Sequence, residues 1–123
     1  MSMPRILVVD DSANIRRLLS HNLGKHFDVS VAAGASQAFE TLEKGAFPDL
    51  IVVDVAMPGM DGFSFVERIR KTPGLKNVPV IMLTARDKSG DKERGLRAGA
   101  DDYITKPFSM DDLAERIRSL LDL

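Results

Sequence analysis

The chain has 123 residues, enough for a single hydrophobic core, and residues 1–123 are predicted to form one domain. Its 17 basic and 18 acidic side chains nearly balance, so it has no field of one sign that would hold nucleic acid or a membrane surface. Cysteine is absent, which excludes disulfides and thiolate metal sites; with no apolar run near the roughly 20 residues of a membrane span, we expect a soluble, cytoplasmic chain.

Short apolar runs rich in β-branched residues alternate along the chain with segments that have apolar residues at helical spacing. The runs cover residues 6–9, 29–32, 50–53 and 80–83, with a weaker fifth run at 103–105. The helical segments cover residues 15–23, 35–42, 63–69, 87–98 and 110–121. Such alternation predicts an α/β fold with a parallel sheet, helices on both of its faces and right-handed crossovers.

The pattern of apolar and polar residues within each run predicts the order of the strands, because a central parallel strand is buried on both faces and is therefore continuously apolar. The first, third and fourth runs are continuously apolar, whereas the second alternates at Ser30 and the fifth is short and polar. The second and fifth strands therefore belong at the edges. The simplest chain path gives a doubly wound five-stranded parallel sheet of order 2-1-3-4-5, a flavodoxin-like (βα)5 fold whose ligand site lies between strands one and three.

Polar side chains follow the predicted strands at the edge of the sheet where this class of fold binds ligands. Asp10 and Asp11 follow the first strand, Asp54 the third and Thr84 the fourth, and Lys106 comes directly after the fifth. Because neighbouring strands lie about 4.8 Å apart, these side chains are expected to converge. Three converging carboxylates repel one another unless they hold a cation, and Mg²⁺ prefers such oxygen ligands.

This constellation predicts phosphoryl transfer to an aspartate. In this interpretation Asp54 is the nucleophile, and Asp10 and Asp11 hold Mg²⁺ directly or through water. Lys106 and the Thr84 hydroxyl contact oxygens of the transferred group. Each residue taken singly has an ordinary explanation as a helix cap, a strand end or a solvated lysine, and only their joint occurrence favours the chemical one.

Four stretches resemble the receiver domain of bacterial two-component response regulators: residues 8–12 (VVDDS), 53–62 (VDVAMPGMDG), 83–86 (LTAR) and 99–108 (GADDYITKPF). The resemblance spans essentially the whole chain and implies a phosphorylation-dependent switch that takes its phosphoryl group from a sensor histidine kinase or a phosphotransfer protein. It implies no enzyme activity beyond self-catalysed phosphorylation and slow dephosphorylation. It also implies a third protein ligand for Mg²⁺, the carbonyl of Ala56 beside Asp54, and a cis peptide before Pro107.

The fourth helical segment, residues 87–98, is the least anchored, since Leu96 is its one large apolar residue and it contains two glycines. Low apolar burial makes it the natural element to move when chemistry occurs beside it. The resemblance implies a route for this switch, in which Thr84 turns toward a phosphoryl oxygen and Tyr103 rotates inward.

The face made by helix four, strand five and helix five is expected to change on phosphorylation and so to control partner binding or dimerisation. Its charged residues have both signs, which a twofold axis could pair between two copies, although an ordinary solvated surface explains them equally well. These residues are Lys92, Asp101, Asp102, Asp112, Arg116 and Arg118. Receivers joined to winged-helix DNA-binding domains have a similar pattern and dimerise through this face, which leads us to predict phosphorylation-promoted dimerisation.

Two further positions bear on the lifetime of the phosphoryl group, namely Ala56, two residues after Asp54, and Arg86, two residues after Thr84. The family varies at both, and neither residue here can position a water as a carboxylate or an amide would. Slow loss of the phosphoryl group is therefore predicted.

Two other interpretations remain at this point. The first is a small Mg²⁺-dependent phosphohydrolase of the haloacid dehalogenase type, which also forms an aspartyl-phosphate. Such enzymes place the nucleophile in an Asp-x-Asp motif after the first strand, whereas this chain has Asp10-Asp11-Ser12 and no room for a cap domain. The second is a receiver-shaped interaction module that is never phosphorylated, and the intact acidic set argues against it.

Overall fold

Strands and helices alternate along the computed structural model, which describes residues 3–45, 47–85 and 90–123. The strands are β1 (Arg5–Val9), β2 (Asp28–Ala32), β3 (Leu50–Asp54), β4 (Val80–Thr84) and β5 (Asp102–Thr105). The helices are α1 (Ala13–Leu23), α2 (Ala35–Glu43), α3 (Gly62–Arg70), α4 (Asp91–Ala98) and α5 (Met110–Leu120). None of the helices in these ranges is long and apolar enough to cross a bilayer.

The five strands form one parallel sheet in the order β2-β1-β3-β4-β5, which confirms the predicted topology. Every residue of β3 and β4 is buried, as continuously apolar central strands require. The edge strand β2 has most of its residues exposed, and β5 at the other edge is partly exposed. The point at which the order of strand addition reverses lies between β1 and β3, inside the sheet.

Two hydrophobic clusters cover the two faces of the sheet, because successive side chains of a strand point to opposite sides. Leu7 and Val9 of β1 face a cluster that contains residues of α2 and α3. Ile6 and Val8 face the second cluster, which contains residues of α1 and α5. The sheet is thus covered on both faces, with its polar carboxyl edge left for a ligand.

Helix α4 differs from the expectation in how it packs. Residues 87–89 of the predicted segment lie outside the described residues, and the helix begins at Asp91. Leu96, predicted to be its apolar anchor, is 47% exposed, so that prediction is wrong. The helix instead turns the buried Gly95 toward the sheet, where an added Cβ would lie 3.1 Å from the sulfur of Met82 and 3.4 Å from the ring of Tyr103. This close approach directs Leu96 outward.

Side-chain caps are found at the start of three of the helices. The Ser109 hydroxyl accepts the Asp112 N–H at 3.3 Å, and the Ser12 hydroxyl accepts the Ile15 N–H at the start of α1. The Asp61 carboxylate accepts the N–H of the third residue of α3 at 2.8 Å. Ser12 lies three residues beyond β1 and Asp61 seven residues beyond β3, and their caps fix where the helices that follow these strands begin.

Candidate functional site

The carboxyl edge of the sheet brings the predicted site residues together. Val9 of β1 pairs with Val53 of β3, so Asp10 and Asp54 are the next residues on two neighbouring strands. Thr84 at the end of β4 pairs with Thr105 of β5, and the Lys106 N–H donates to the Thr84 carbonyl at 2.6 Å. The strand register therefore aligns residues that are far apart in the sequence.

The three carboxylates predicted to converge do so. Asp10, Asp11 and Asp54 each offer one oxygen, and these three oxygens lie within 4.8 Å of one another. Asp10 is fully buried and Asp54 is 6% exposed, whereas Asp11 lies at the surface. Opposite ligands of an octahedral Mg²⁺ are about 4.2 Å apart, so a small contraction or a bridging water would fit the cluster to such an ion. The cluster is a possible metal-binding group made of oxygen donors.

Lys106 reaches into this cluster from the end of β5. Its ammonium Nζ lies 3.1 Å from Oδ2 of Asp10 and 3.4 Å from Oδ1 of Asp54, and the side chain is 25% exposed. The Lys106 ammonium thus pairs with two of the three carboxylates. The peptide between Lys106 and Pro107 is cis, as the family resemblance implies.

The Asp54 carboxyl is the group whose acidity this environment changes most clearly. The pKa of Asp54 is raised from 3.8 to about 6, first by burial and then by the neighbouring Asp10 carboxylate, while Lys106 acts in the opposite direction. The cluster therefore has more negative charge than Lys106 alone can balance. A bound cation would remove this excess and favour the ionised, nucleophilic form of Asp54.

The turn between β1 and α1 holds Asp10 in place through two contacts that the sequence did not reveal. The Ser12 N–H donates to Oδ1 of Asp10 at 2.9 Å, and the Arg16 guanidinium donates to the Asp10 backbone carbonyl at 2.8 Å. Arg16 lies six positions after Asp10, and an arginine near the start of a helix gives no signal by itself. Its role becomes visible only when the fold brings its guanidinium back to the strand end.

The two predicted switch residues lie next to α4. The hydroxyl of Thr84, which is almost fully buried, donates to Oδ2 of Asp91 at 3.2 Å. The Tyr103 hydroxyl is also buried and has no hydrogen-bond partner among the residues that the structure describes. Burial raises the pKa of Tyr103 above its usual value. Asp91 was not among the predicted site residues, although an acidic residue in the first turn of the next helix is a weak signal for such a contact.

Ala56 and Arg86 are the two positions expected to affect the lifetime of the phosphoryl group, and the structure describes only the first. Ala56 is exposed in the segment between β3 and α3, two residues beyond Asp54. Arg86 lies outside the described residues.

The charged residues predicted as an interface are largely engaged within the chain. The internal ion pairs are Asp101 with Arg70 at 3.0 Å, Asp102 with Arg116 at 2.9 Å and Asp112 with Arg116 at 3.3 Å. Arg70, which comes from the end of α3, was missed by the sequence reasoning because nothing local marks it. Lys92 and Arg118 are exposed. Pairing of these acids with a second copy would thus require an exchange of partners.

Comparison with known proteins identifies this arrangement, since residues 6–118 match the response regulator receiver domain family. The chain belongs to that family. This receiver is 41% identical, over 97% of its length, to the DNA-binding dual master transcriptional regulator RpaA of Synechocystis sp.. It is 38% identical, over 97% of its length, to the phosphate regulon transcriptional regulatory protein PhoB of Rhizobium meliloti. It spans about half of these curated relatives, 49% of the first and 52% of the second.

A solved structure gives the same result for the fold. The chemotaxis protein CheY4 of Vibrio cholerae is 35% identical to this receiver, with a TM-score of 0.89, over 97% of this chain and 99% of that one. The predicted family resemblance and fold are confirmed. A receiver domain of two-component response regulators is a phosphorylation-dependent signalling switch, not a member of a known catalytic enzyme family.

Proposed function

We propose that this receiver accepts the phosphoryl group on Asp54, with Mg²⁺ held by Asp10, Asp11, Asp54 and the backbone carbonyl of Ala56. The observation that carries the proposal is the position of the Asp54 carboxylate. It lies in one cluster with two other carboxylates, and the Lys106 ammonium is 3.4 Å away. When bound, Mg²⁺ would offset the negative charge of the carboxylates and attract the oxygens of the incoming phosphoryl group.

The chain's own residues then carry out the transfer. An oxygen of Asp54 attacks phosphorus, an O–P bond forms, and the P–N bond to the imidazole of the donor histidine breaks; the leaving nitrogen takes up a proton. Lys106, already beside Oδ1 of Asp54, is placed to bind a phosphoryl oxygen and to stabilise the charge that develops there. The Thr84 hydroxyl would supply a second hydrogen bond to the phosphoryl group.

The donor proposed for this reaction is a sensor histidine kinase or a phosphotransfer protein of a phosphorelay, and a cytoplasmic location is proposed with it. Residues 1–123 would act as one receiver domain, and the net charge of −1 supports the proposal that this chain does not itself bind nucleic acid. Hydrolysis would be self-catalysed and slow, because Ala56 has no polar side chain that could hold a water near the aspartyl-phosphate.

The output proposed for the switch is a change in the face made by α4, β5 and α5, leading to a homodimer. Leu96 of α4 is an exposed apolar residue that such a contact could bury, and Lys92 of α4 and Arg118 of α5 are also exposed. Asp101 and Asp112, with Arg116, would exchange their internal partners for those of a second copy. Sedimentation with and without a phosphoryl mimic tests this, and a chain that stays monomeric with the mimic at high concentration would contradict it.

The test of the phosphorylation site is intact mass after incubation with Mg²⁺ and acetyl phosphate. We expect the chain to gain the mass of one phosphoryl group, and Asp54→Asn to gain none under the same conditions. A chelator should abolish the gain. A gain retained in Asp54→Asn would refute the assignment, and no gain at all would favour an interaction module that is never phosphorylated. Release of many equivalents of phosphate per chain within minutes would instead favour the phosphohydrolase.

A further inference from the structure

The contact between Thr84 and Asp91 joins the end of β4 to the first turn of α4. Thr84 is almost fully buried, and its hydroxyl donates to Oδ2 of Asp91 at 3.2 Å. Asp91 is the first residue of α4 and is partly buried. It is thus a carboxylate of the helix that reaches a residue of the phosphorylation site.

A threonine hydroxyl has one proton and so can donate one hydrogen bond at a time. In the structure that donor is directed to Asp91. A phosphoryl oxygen on Asp54 would need the same proton. The hydrogen bond to Asp91 and the hydrogen bond to the phosphoryl group therefore exclude each other.

We propose that Asp91 is a positioning residue that restrains the switch, holding Thr84 and the start of α4 in the unphosphorylated arrangement until the phosphoryl group competes for the Thr84 hydroxyl. The inference rests on the proposed function, because it takes Asp54 as the phosphorylated residue. It adds a specific link between the chemistry and the helix: the hydrogen bond that the phosphoryl group gains is the one that α4 loses.

The packing around this hydrogen bond makes α4 sensitive to its loss. The helix meets the sheet through Gly95, whose place against Met82 and Tyr103 provides little apolar side-chain contact, and Leu96 faces outward. The charge-assisted hydrogen bond from Thr84 therefore adds a specific link between the first turn of α4 and β4, beside the packing of Arg94 on the Phe63 ring. The buried Tyr103 hydroxyl lies near Thr84 and Asp91 and has no hydrogen-bond partner among the described residues.

The proposal has the Thr84 hydroxyl turn to the phosphoryl oxygen in the transition state of the transfer, so the free energy of the lost hydrogen bond to Asp91 adds to the barrier to phosphorylation. We therefore expect Asp91→Ala to be phosphorylated by acetyl phosphate and Mg²⁺ about fivefold faster than the wild-type chain, in intact-mass time courses. Asp91→Asn keeps an oxygen acceptor without the charge, and its rate should lie between the two. An unchanged or slower rate in both variants would overturn the proposal.

Glu93→Gln is the matched control, because Glu93 is the other acidic residue in the first turn of α4. Its carboxylate is exposed and lies 3.9 Å from Arg97, an ordinary surface pair. Glu93→Gln and Asp91→Asn each remove a negative charge from the N-terminus of α4, so an effect through the helix dipole would appear in both of these variants. We expect Glu93→Gln to leave the rate within about twofold of wild type. An equal acceleration in Glu93→Gln would overturn the restraint.

A double variant tests whether Asp91 acts through Thr84. Thr84→Val keeps the shape of the side chain but removes the hydroxyl. In that background, Asp91→Ala should not change the rate of phosphorylation. The same fold-change in both backgrounds would show that Asp91 acts by another path and would refute the proposal.

Hydrogen exchange of the α4 amides tests the contact without any phosphorylation. Thr84→Val and Asp91→Ala should each speed exchange in α4, and the double variant should be no faster than either. Additive effects on exchange would overturn the inference, whether or not the wild-type chain can be phosphorylated. Failure of the wild-type chain to be phosphorylated would instead refute the proposed function. A phosphorylated wild-type chain with unaffected Asp91 variants would refute the restraint alone.

Discussion

Lys106 and Asp10 are 96 positions apart in the sequence, yet the ammonium Nζ of the first lies 3.1 Å from a carboxylate oxygen of the second. Asp10 is fully buried, and its other oxygen accepts the Ser12 N–H. The ion pair joins the segment after β5 to the segment after β1 across the carboxyl edge of the sheet. The buried charge of Asp10 therefore depends on Lys106 whenever no cation is bound.

Replacing Lys106 by methionine keeps the length of the side chain but removes its charge. We expect Lys106→Met to lower the free energy of unfolding of the metal-free chain by about 3 kcal/mol, because a buried carboxylate loses its partner. Urea denaturation measures this. Lys25→Met is the control, since Lys25 is exposed just beyond α1 and its replacement should cost less than about 0.5 kcal/mol. Equal stability of the two variants would contradict a structural role for the ion pair.

The raised pKa of Asp54 predicts a pH-dependent cost to the fold. An acid whose pKa rises on folding, here from 3.8 to about 6, binds protons more readily in the folded state, so stability falls as pH rises through that interval. A shift of about two pH units corresponds to roughly 3 kcal/mol. Without metal, Asp54→Asn should therefore exceed the wild type in stability near neutral pH by up to about that amount, and the difference should vanish below about pH 4.

Thermal unfolding across this pH range, with a chelator present, measures the effect. Mg²⁺ should stabilise the wild-type chain and reduce the difference, because it binds the folded cluster and not the unfolded chain. A wild-type chain that is the more stable of the two at neutral pH without metal would contradict the raised pKa.

The sheet and the core of the site could be predicted because their signals are local. Each strand is a short apolar run, and the residue after the run shows which chemistry the strand end presents. Asp54 and Thr84 end their strands and Asp10 follows directly, so strand order alone was enough to bring them together. The cis peptide before Pro107 came from the family resemblance, not from the pattern of apolar residues.

The contacts that the sequence did not predict depend on long-range geometry. Leu96 was expected to anchor α4, but its apolar side chain does not show which side of the helix faces the sheet, and the buried side is that of Gly95. Arg16 and Arg70 bind backbone carbonyls, which every residue has, so no side-chain pattern marks their partners. Asp101 was predicted on a surface for a second copy, and its closest cation came from α3 of the same chain.

The close packing of α3 on the end of β3 predicts the effect of a substitution at Gly62. An added Cβ would overlap the backbone carbonyl oxygen of Asp54 and lie 2.9 Å from the Cα of Val55. Backbone cannot give way as a flexible side chain does, so we expect Gly62→Ala to cost about 1–3 kcal/mol of stability and to slow phosphoryl uptake by Asp54. Urea denaturation and intact-mass time courses measure the two effects.

Gly34→Ala provides the control for that substitution. No heavy atom lies within 4 Å of a Cβ at Gly34, and its extended φ of −176° is open to any residue. Gly34 is the N-cap of α2, where alanine is less favourable than glycine, so we expect Gly34→Ala to cost about 0.5 kcal/mol, less than the overlap at Gly62. If Gly62→Ala were as stable and as readily phosphorylated as Gly34→Ala, the proposed contact between α3 and Asp54 would be wrong.

We expect the replacement of Arg70 to lower the free energy of unfolding more than the replacement of an exposed charged residue does. Its guanidinium donates to the carbonyls of Val78 and Gly99 at 2.6 and 2.9 Å and to the Asp101 carboxylate at 3.0 Å, and its side chain is 20% exposed. These bonds tie the end of α3 to the segments before β4 and β5. Arg70→Met would leave partly buried acceptors without donors, and we expect a loss of about 3 kcal/mol in urea denaturation.

Two variants separate the guanidinium's geometry from its charge. Arg70→Lys keeps the charge but cannot reach three acceptors at once, so its stability should lie between those of the wild type and Arg70→Met. Arg97→Met removes an exposed arginine whose ion pair with Glu93 has side chains 79% and 81% exposed, and it should cost less than about 0.5 kcal/mol. Should Arg70→Lys match the wild type, charge alone would explain the contribution of Arg70, and the bonds to Val78 and Gly99 would count for little.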